Sequence, residues 1–129
     1  MPVQSFIALN IAILTISDTR TLVDDISGQT LLDGLSAAAK KAGVPFSADC
    51  QGGMFGFFLL PELPQNYAKV MTSDSPRFNK LFHGLLDRGV YIAPALYEAG
   101  FVSAAHSEAD IAETVQAASE AFATLGATT

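Results

Sequence analysis

The sequence predicts an α+β fold: a two-layer sandwich with one antiparallel-dominated sheet and helices packed on one of its faces. Three observations carry that expectation. Apolar stripes at helical spacing run through Leu31–Ala39, Phe78–Leu86 and Ile111–Phe122. Between and before them stand short β-rich runs, "IALNIAILTIS" and "FSADCQGGMFGFFLL". The 129 residues can bury one core without a metal or disulfide, and no repeat or linker divides them, so a single domain over residues 1–129 is expected.

Each element can be justified in order. Ile7 to Ser17 is apolar and β-branched with few polar breaks, which suits a strand buried on both faces, followed by the loop "DTRTLVDDISG". Ser27 can cap a helix from about Gly28 to Ala42, with Leu31, Leu32, Leu35 and Ala38/Ala39 on one stripe. Gly43 fits its stop, and Pro45 forbids continuation. Phe46 to Leu60 reads as two strands hinged at Gly52–Gly53, or as one long strand bent there. "PELPQNYAKVMTSDS" is a proline-punctuated connection, after which Ser73, Asp74 or Ser75 caps a helix with Pro76 in its first turn. Phe78, Leu81, Phe82, Leu85 and Leu86 form its stripe until Arg88–Gly89. "VYIAP" and "GFVSAA" are strand candidates, and Ser107 caps a last helix through Ile111, Val115, Ala118 and Phe122. The order is β-α-β-β-α-β plus a short strand and a C-terminal helix, as in ferredoxin-like split βαβ folds.

Composition narrows the function classes. Seven Lys and Arg stand against thirteen Asp and Glu, with no basic cluster beyond Lys40–Lys41, so nucleic acid is not an expected partner. The longest apolar run, "GGMFGFFLLP", is far short of the roughly 20 residues that span a bilayer. No membrane partner is expected. "MPVQSF" lacks a basic signal region and Cys50 is the only cysteine, so a reduced, cytoplasmic protein is expected. Half of the residues are hydrophobic and only 16% are charged, against roughly 25% for average domains. That excess predicts a covered surface, and hence a homo-oligomer, as a dimer.

The candidate chemistry is sparse. Glu98 is the one charged residue in "APALYEAGF", and an ionised carboxylate is costly to bury unpaired. It is therefore either a strand-edge residue in solvent or part of a site. His83 and His106 are the only histidines, with no H-x-x-x-H or C-x-x-C spacing, so no metal site is expected. "GGMFGFF" has neither G-x-G-x-x-G spacing nor a following Lys-Ser/Thr, which favours a bend over a phosphate cradle.

Two resemblances overlay this reading. "LLDGLSAAAKKAGVPF", "GGMFGFF", "SDSPRFNKLFHGLLDRGVYIAP" and "YEAGFVSAAHSEADI" run from about Leu31 to Leu125. They resemble the C-terminal small domain of glutamate-1-semialdehyde 2,1-aminomutase, a pyridoxal-phosphate enzyme of the fold-type-I aminotransferase group acting in tetrapyrrole synthesis. The resemblance implies that Glu98 matches an active-site glutamate near the substrate. It also implies that the cofactor lysine and phosphate cup belong mostly to a large domain. None of Lys40, Lys41, Lys69 and Lys80 lies in a match to the family's lysine motif. Residues Ile7 to Gln29, with "LTISDTRT" the most specific part, resemble the first strand and loop of molybdenum-cofactor biosynthesis protein B. There Ser17, Asp18 and Thr19 would be the candidates for contacting molybdopterin.

Together these resemblances give a chimera of segments 1–30 and 31–129, joined inside the first helix. The leading expectation is a recombined folded module without a complete active site, no cofactor and no catalysis. Its alternatives are a truncated aminomutase with residual pyridoxal-phosphate chemistry and a molybdopterin-binding fragment.

Overall fold

A computed structural model describes residues 22–126. The strand expected over Ile7–Ser17 lies outside them. In chain order the elements are α1 (Leu22–Ala42), β1 (Ser47–Gln51), β2 (Met54–Phe58), α2 (Tyr67–Val70), α3 (Ser75–Leu86), β3 (Gly100–Phe101) and α4 (Glu108–Gly126). They form a small α+β structure with a three-stranded antiparallel sheet of order β1-β2-β3 among the described residues. The helices cover one face, in keeping with the predicted two-layer sandwich.

The helix ends follow local chemistry. The Asp74 carboxylate accepts from Arg77 N at 3.0 Å, with Pro76 in the first turn of α3. Ser107 and Asp110 reciprocate before α4. Asp110 N donates to Ser107 Oγ at 3.1 Å, while Ser107 N and Oγ donate to Asp110 Oδ2 at 2.7 and 2.9 Å. Gly43, at φ +72°, ends α1, and Val44 N reaches back to Ala39 O at 2.9 Å. Of the two readings of Phe46–Leu60, the structure takes the two-stranded one: β1 and β2 form a hairpin turned by Gly52 at φ +60°.

Two expectations are corrected. α1 begins at Leu22, six residues before the predicted start at Gly28, so Ser27 lies inside the helix and does not cap it. Val90–Pro94 forms no ladder: its apolar side chains, Val90 and Ile92, pack against the core from an unpaired segment. The connection before α3 also holds the one-turn helix α2, whose tie is the Asn66 side chain accepting from Lys69 N at 3.0 Å.

The core sits between the helices and the inward face of the sheet. Ala48 and Cys50 of β1 pair with Phe57 and Phe55 of β2, so these four residues share that face at the two-residue period of a strand. Phe46 stacks on Phe57 at 5.4 Å and meets Phe122 of α4 edge-on at 5.6 Å. α4 packs against α1 and α3 with small residues, Ala39 of α1 and Ala118 and Ala121 of α4 all at 0% exposure and Ala121 facing Gly84 of α3. Arg88 clasps the end of α3 to α4, donating from Nε to Glu120 at 2.9 Å and from Nη1 to Gly84 O at 2.8 Å.

The cap of α4 carries a pH prediction. The Ser107 backbone N–H, its hydroxyl and the nearby His106 hold the Asp110 carboxyl below its ordinary 3.8. A carboxyl with a lowered folded-state pKa contributes stability that is present above the unfolded value and is lost as pH falls through the folded one. Asp110→Asn should therefore lower the urea midpoint at pH 6, and the gap from the parent should close as pH falls below the ordinary carboxyl range. A gap that stays constant with pH would show that the ionised cap contributes nothing.

Candidate active-site groove

The groove at the β2–β3 end is built by the chain that leaves α3. After Leu86 the backbone folds back, with Val90 N donating to Leu85 O at 2.9 Å, and this sends Tyr91–Ala99 past the edge of β2. Leu96 anchors the segment in the core at 7% exposure. β3 then pairs with β2, placing Gly100 opposite Phe55 and Phe101 opposite Met54. A Cβ on Gly100 would collide with the Phe55 ring, and one on Gly53 would strike Val102 O. Gly52 and Gly53 of "GGMFGFF" thus serve a turn and a close backbone approach, as the sequence favoured, whereas a Cβ on Gly56 would meet nothing within 4 Å.

Two adjoining hollows result. One, of about 460 Å³, is lined mainly by aromatic and small apolar residues including Phe57, Phe78, Ile92 and Pro94. The second, of about 370 Å³, lies between loop Leu96–Ala99 and the outward residues Asp49, Met54 and Phe58. Phe55, Gly56, Leu96, Glu98 and Ala99 line both. Glu98 therefore stands at their junction, exposed, with its carboxylate lacking a hydrogen bond or ion pair among the described residues. Of the two readings left open, Glu98 is not in a strand; it sits in the loop two residues before β3. Tyr91 and Tyr97, missed in the sequence, flank this site at 73% and 52% exposure. Their seven-residue framing of the "YIAPALY" stretch was the available signal.

The other sequence candidates do not converge here. Lys40, Lys41, Lys69 and Lys80 are all exposed, and neither hollow is lined by Lys or Arg. These residues do not by themselves supply a Schiff-base amine or a cation for a phosphate, so pyridoxal phosphate does not fit the described part of the groove alone. Cys50 Sγ lies 3.5 Å from Gln29 Oε1, and His106 Nδ1 accepts from Ser103 N at 3.0 Å, so the thiol is not paired with that imidazole. His83 packs its ring on Phe82 at 5.3 Å. No group of three metal-binding side chains occurs among the described residues. Ser17, Asp18 and Thr19 lie outside those residues. No described helix is long and apolar enough to cross a membrane.

Comparison with known proteins decides which resemblance stands. No protein-family model matches the chain. Glutamate-1-semialdehyde 2,1-aminomutase of Verminephrobacter eiseniae is 70% identical over 97 residues, covering 75% of this chain and 22% of that protein. The aminomutases of Acidovorax ebreus and Paracidovorax citrulli are 70% and 71% identical over 94 residues, again covering 73% of this chain and 22% of theirs. The aminomutase resemblance is shown. The chain spans about a fifth of the length of these curated relatives. An omega-transaminase from Sphaerobacter thermophilus shares the fold, with a TM-score of 0.63 and 22% identity over 77% of this chain and 23% of that chain.

These findings correct the leading expectation of a recombined module without catalysis. Identity of 70% sustained over 97 residues fits the alternative, a truncated aminomutase. They give no support to a chimera or to a molybdenum-cofactor segment.

Proposed function

We propose that this chain is the C-terminal small domain of a glutamate-1-semialdehyde 2,1-aminomutase and that its groove forms one wall of the substrate site. The observation that carries this reading is the 70% identity over 97 residues to the Verminephrobacter eiseniae enzyme. Pyridoxal phosphate would supply the amino-transfer chemistry from residues elsewhere in such an enzyme.

This chain's share is electrostatic and steric. The substrate named by that enzyme carries an amino group and a carboxylate. Glu98 attracts an ammonium and repels a carboxylate, so the amino end is favoured at the junction of the hollows. The apolar wall of Phe55, Phe57 and Phe78 excludes water and strengthens that preference. An unpartnered carboxylate is also free to accept a proton from the bound ammonium. The exposed Met54, Tyr91, Tyr97 and Phe101 around the groove support a covered face, and it is here that we place the expected homo-oligomer contact.

A hybrid tests the reading. Residues 31–125 of this chain would replace the matching segment of the Verminephrobacter eiseniae enzyme. Turnover of glutamate-1-semialdehyde should stay within about tenfold of the parent, a barrier change of about 1.4 kcal/mol. A folded, soluble hybrid without turnover would sink the proposal.

A further inference from the structure

The direction in which Glu98 points is set by the backbone that carries it, because no side chain among the described residues holds its carboxylate. On one side Leu96 is buried; on the other Gly100 is seated against the Phe55 ring. Between these anchors the turn itself is weakly held, with Glu98 N donating to Ala95 O over a long 3.4 Å. The remaining restraint is the ring of Tyr97. Its centroid lies 6.3 Å from that of Tyr67, with the planes tilted by 46°, inside the range of favourable aromatic pairs.

Tyr67 opens α2, a single turn with no buried residue. That turn is nonetheless closely tied. Met71 N donates to Tyr67 O at 3.0 Å, Thr72 Oγ1 donates to Lys69 O at 2.6 Å, and the Asn66 side chain caps the start. These bonds hold the shape of the turn, so the Tyr67 ring is presented from a defined local backbone and meets the ring of Tyr97. Tyr67 and Tyr97 are 71% and 52% exposed, so each meets the other in preference to the interior.

We propose that Tyr67 is a positioning residue for Glu98, acting through the ring of Tyr97. The functional half rests on the reading of Glu98 as the carboxylate that faces substrate; the geometric half does not. Without the Tyr67 ring, Tyr97 swings out and the next residue loses its aim. Leu96, Gly100 and the apolar wall still shape the groove, so substrate continues to bind. A misplacement of about 1 Å in a reacting group can cost on the order of 10²-fold. A partial loss of aim therefore lowers kcat, and any rise in KM from the weakened ammonium contact is smaller than that fall.

Two measurements separate the halves. By NMR on this chain, Tyr67→Ala should shift the Tyr97 ring and Glu98 amide signals while the Leu81 and Leu125 methyls stay in place. Tyr67→Phe should restore the parent spectrum, because the contact is through the ring. Unmoved Tyr97 and Glu98 signals would overturn the proposal whatever the hybrid does. In an active hybrid, Tyr67→Ala should lower kcat about tenfold with a smaller rise in KM, and both should recover in Tyr67→Phe. Equal losses in both variants, or an effect on KM alone, would overturn it as well. An inactive parent hybrid would count against the aminomutase reading, and the NMR comparison would still decide the coupling.

Discussion

Phe122→Ala should remove about 3–5 kcal/mol of folding stability, the cost of deleting a buried aromatic ring and leaving its cavity. Phe122 is 1% exposed on α4 and meets Phe46 edge-on at 5.6 Å, so it joins the last helix to the residue that leads into the sheet. The site cannot close up easily after the loss. A void of about 30 Å³ already lies among Phe122, Leu31, Leu35, Phe46 and Leu81, and truncation would enlarge it. Domains of this size hold roughly 5–15 kcal/mol in all, so the variant should be close to its unfolding midpoint in water. Urea titration followed by far-UV circular dichroism reads this directly. A loss below about 1 kcal/mol would mean that α4 is not packed on Phe46 as described.

Glu98→Gln in the active hybrid should lower kcat by about 10²–10⁴-fold, the usual weight of a positioned acid or base. The amide keeps the size and the polarity of the side chain but cannot take a proton or attract an ammonium by charge. Core packing should not change, since the carboxylate is exposed and has no partner among the described residues. Steady-state kinetics beside a thermal melt separates the two effects. Full activity in a stable Glu98→Gln hybrid would return Glu98 to the solvated carboxylates.

The sequence was most legible where structure depends on a few adjacent residues. Pro76 with Asp74, one of three cap candidates, and Ser107 and Gly43 act within a single turn of backbone, so local letters place these helix ends. It was least legible where a distant contact overrides local preference. Ser27–Gly28 looks like a cap, yet both residues continue α1. The close approach is the reason: a Cβ on Gly28 would lie 2.8 Å from Gly52 O, so the glycine fits α1 against the hairpin turn. "VYIAP" has the composition of a strand, but its apolar side chains are spent on the core and the groove wall while its backbone finds no ladder. Glu98 stood out because it was alone in an apolar stretch. Tyr67 did not, since it meets Tyr97 across thirty residues of chain.

The small-residue seam that α4 makes with α1 and α3 has a consequence for how this protein can diverge. Ala39, Ala118 and Ala121 have no exposed surface, and a Cβ on Gly84 would sit 3.2 Å from that of Ala121. Any enlargement there must push two helices apart, and a reduction to glycine leaves little side chain to give up. The seam is therefore closed to gradual drift in either direction of size. Variation is channelled to the outward helix faces and to the loops, including those that frame the groove. The rigid half of the molecule thus leaves the groove free to change its preferences one residue at a time.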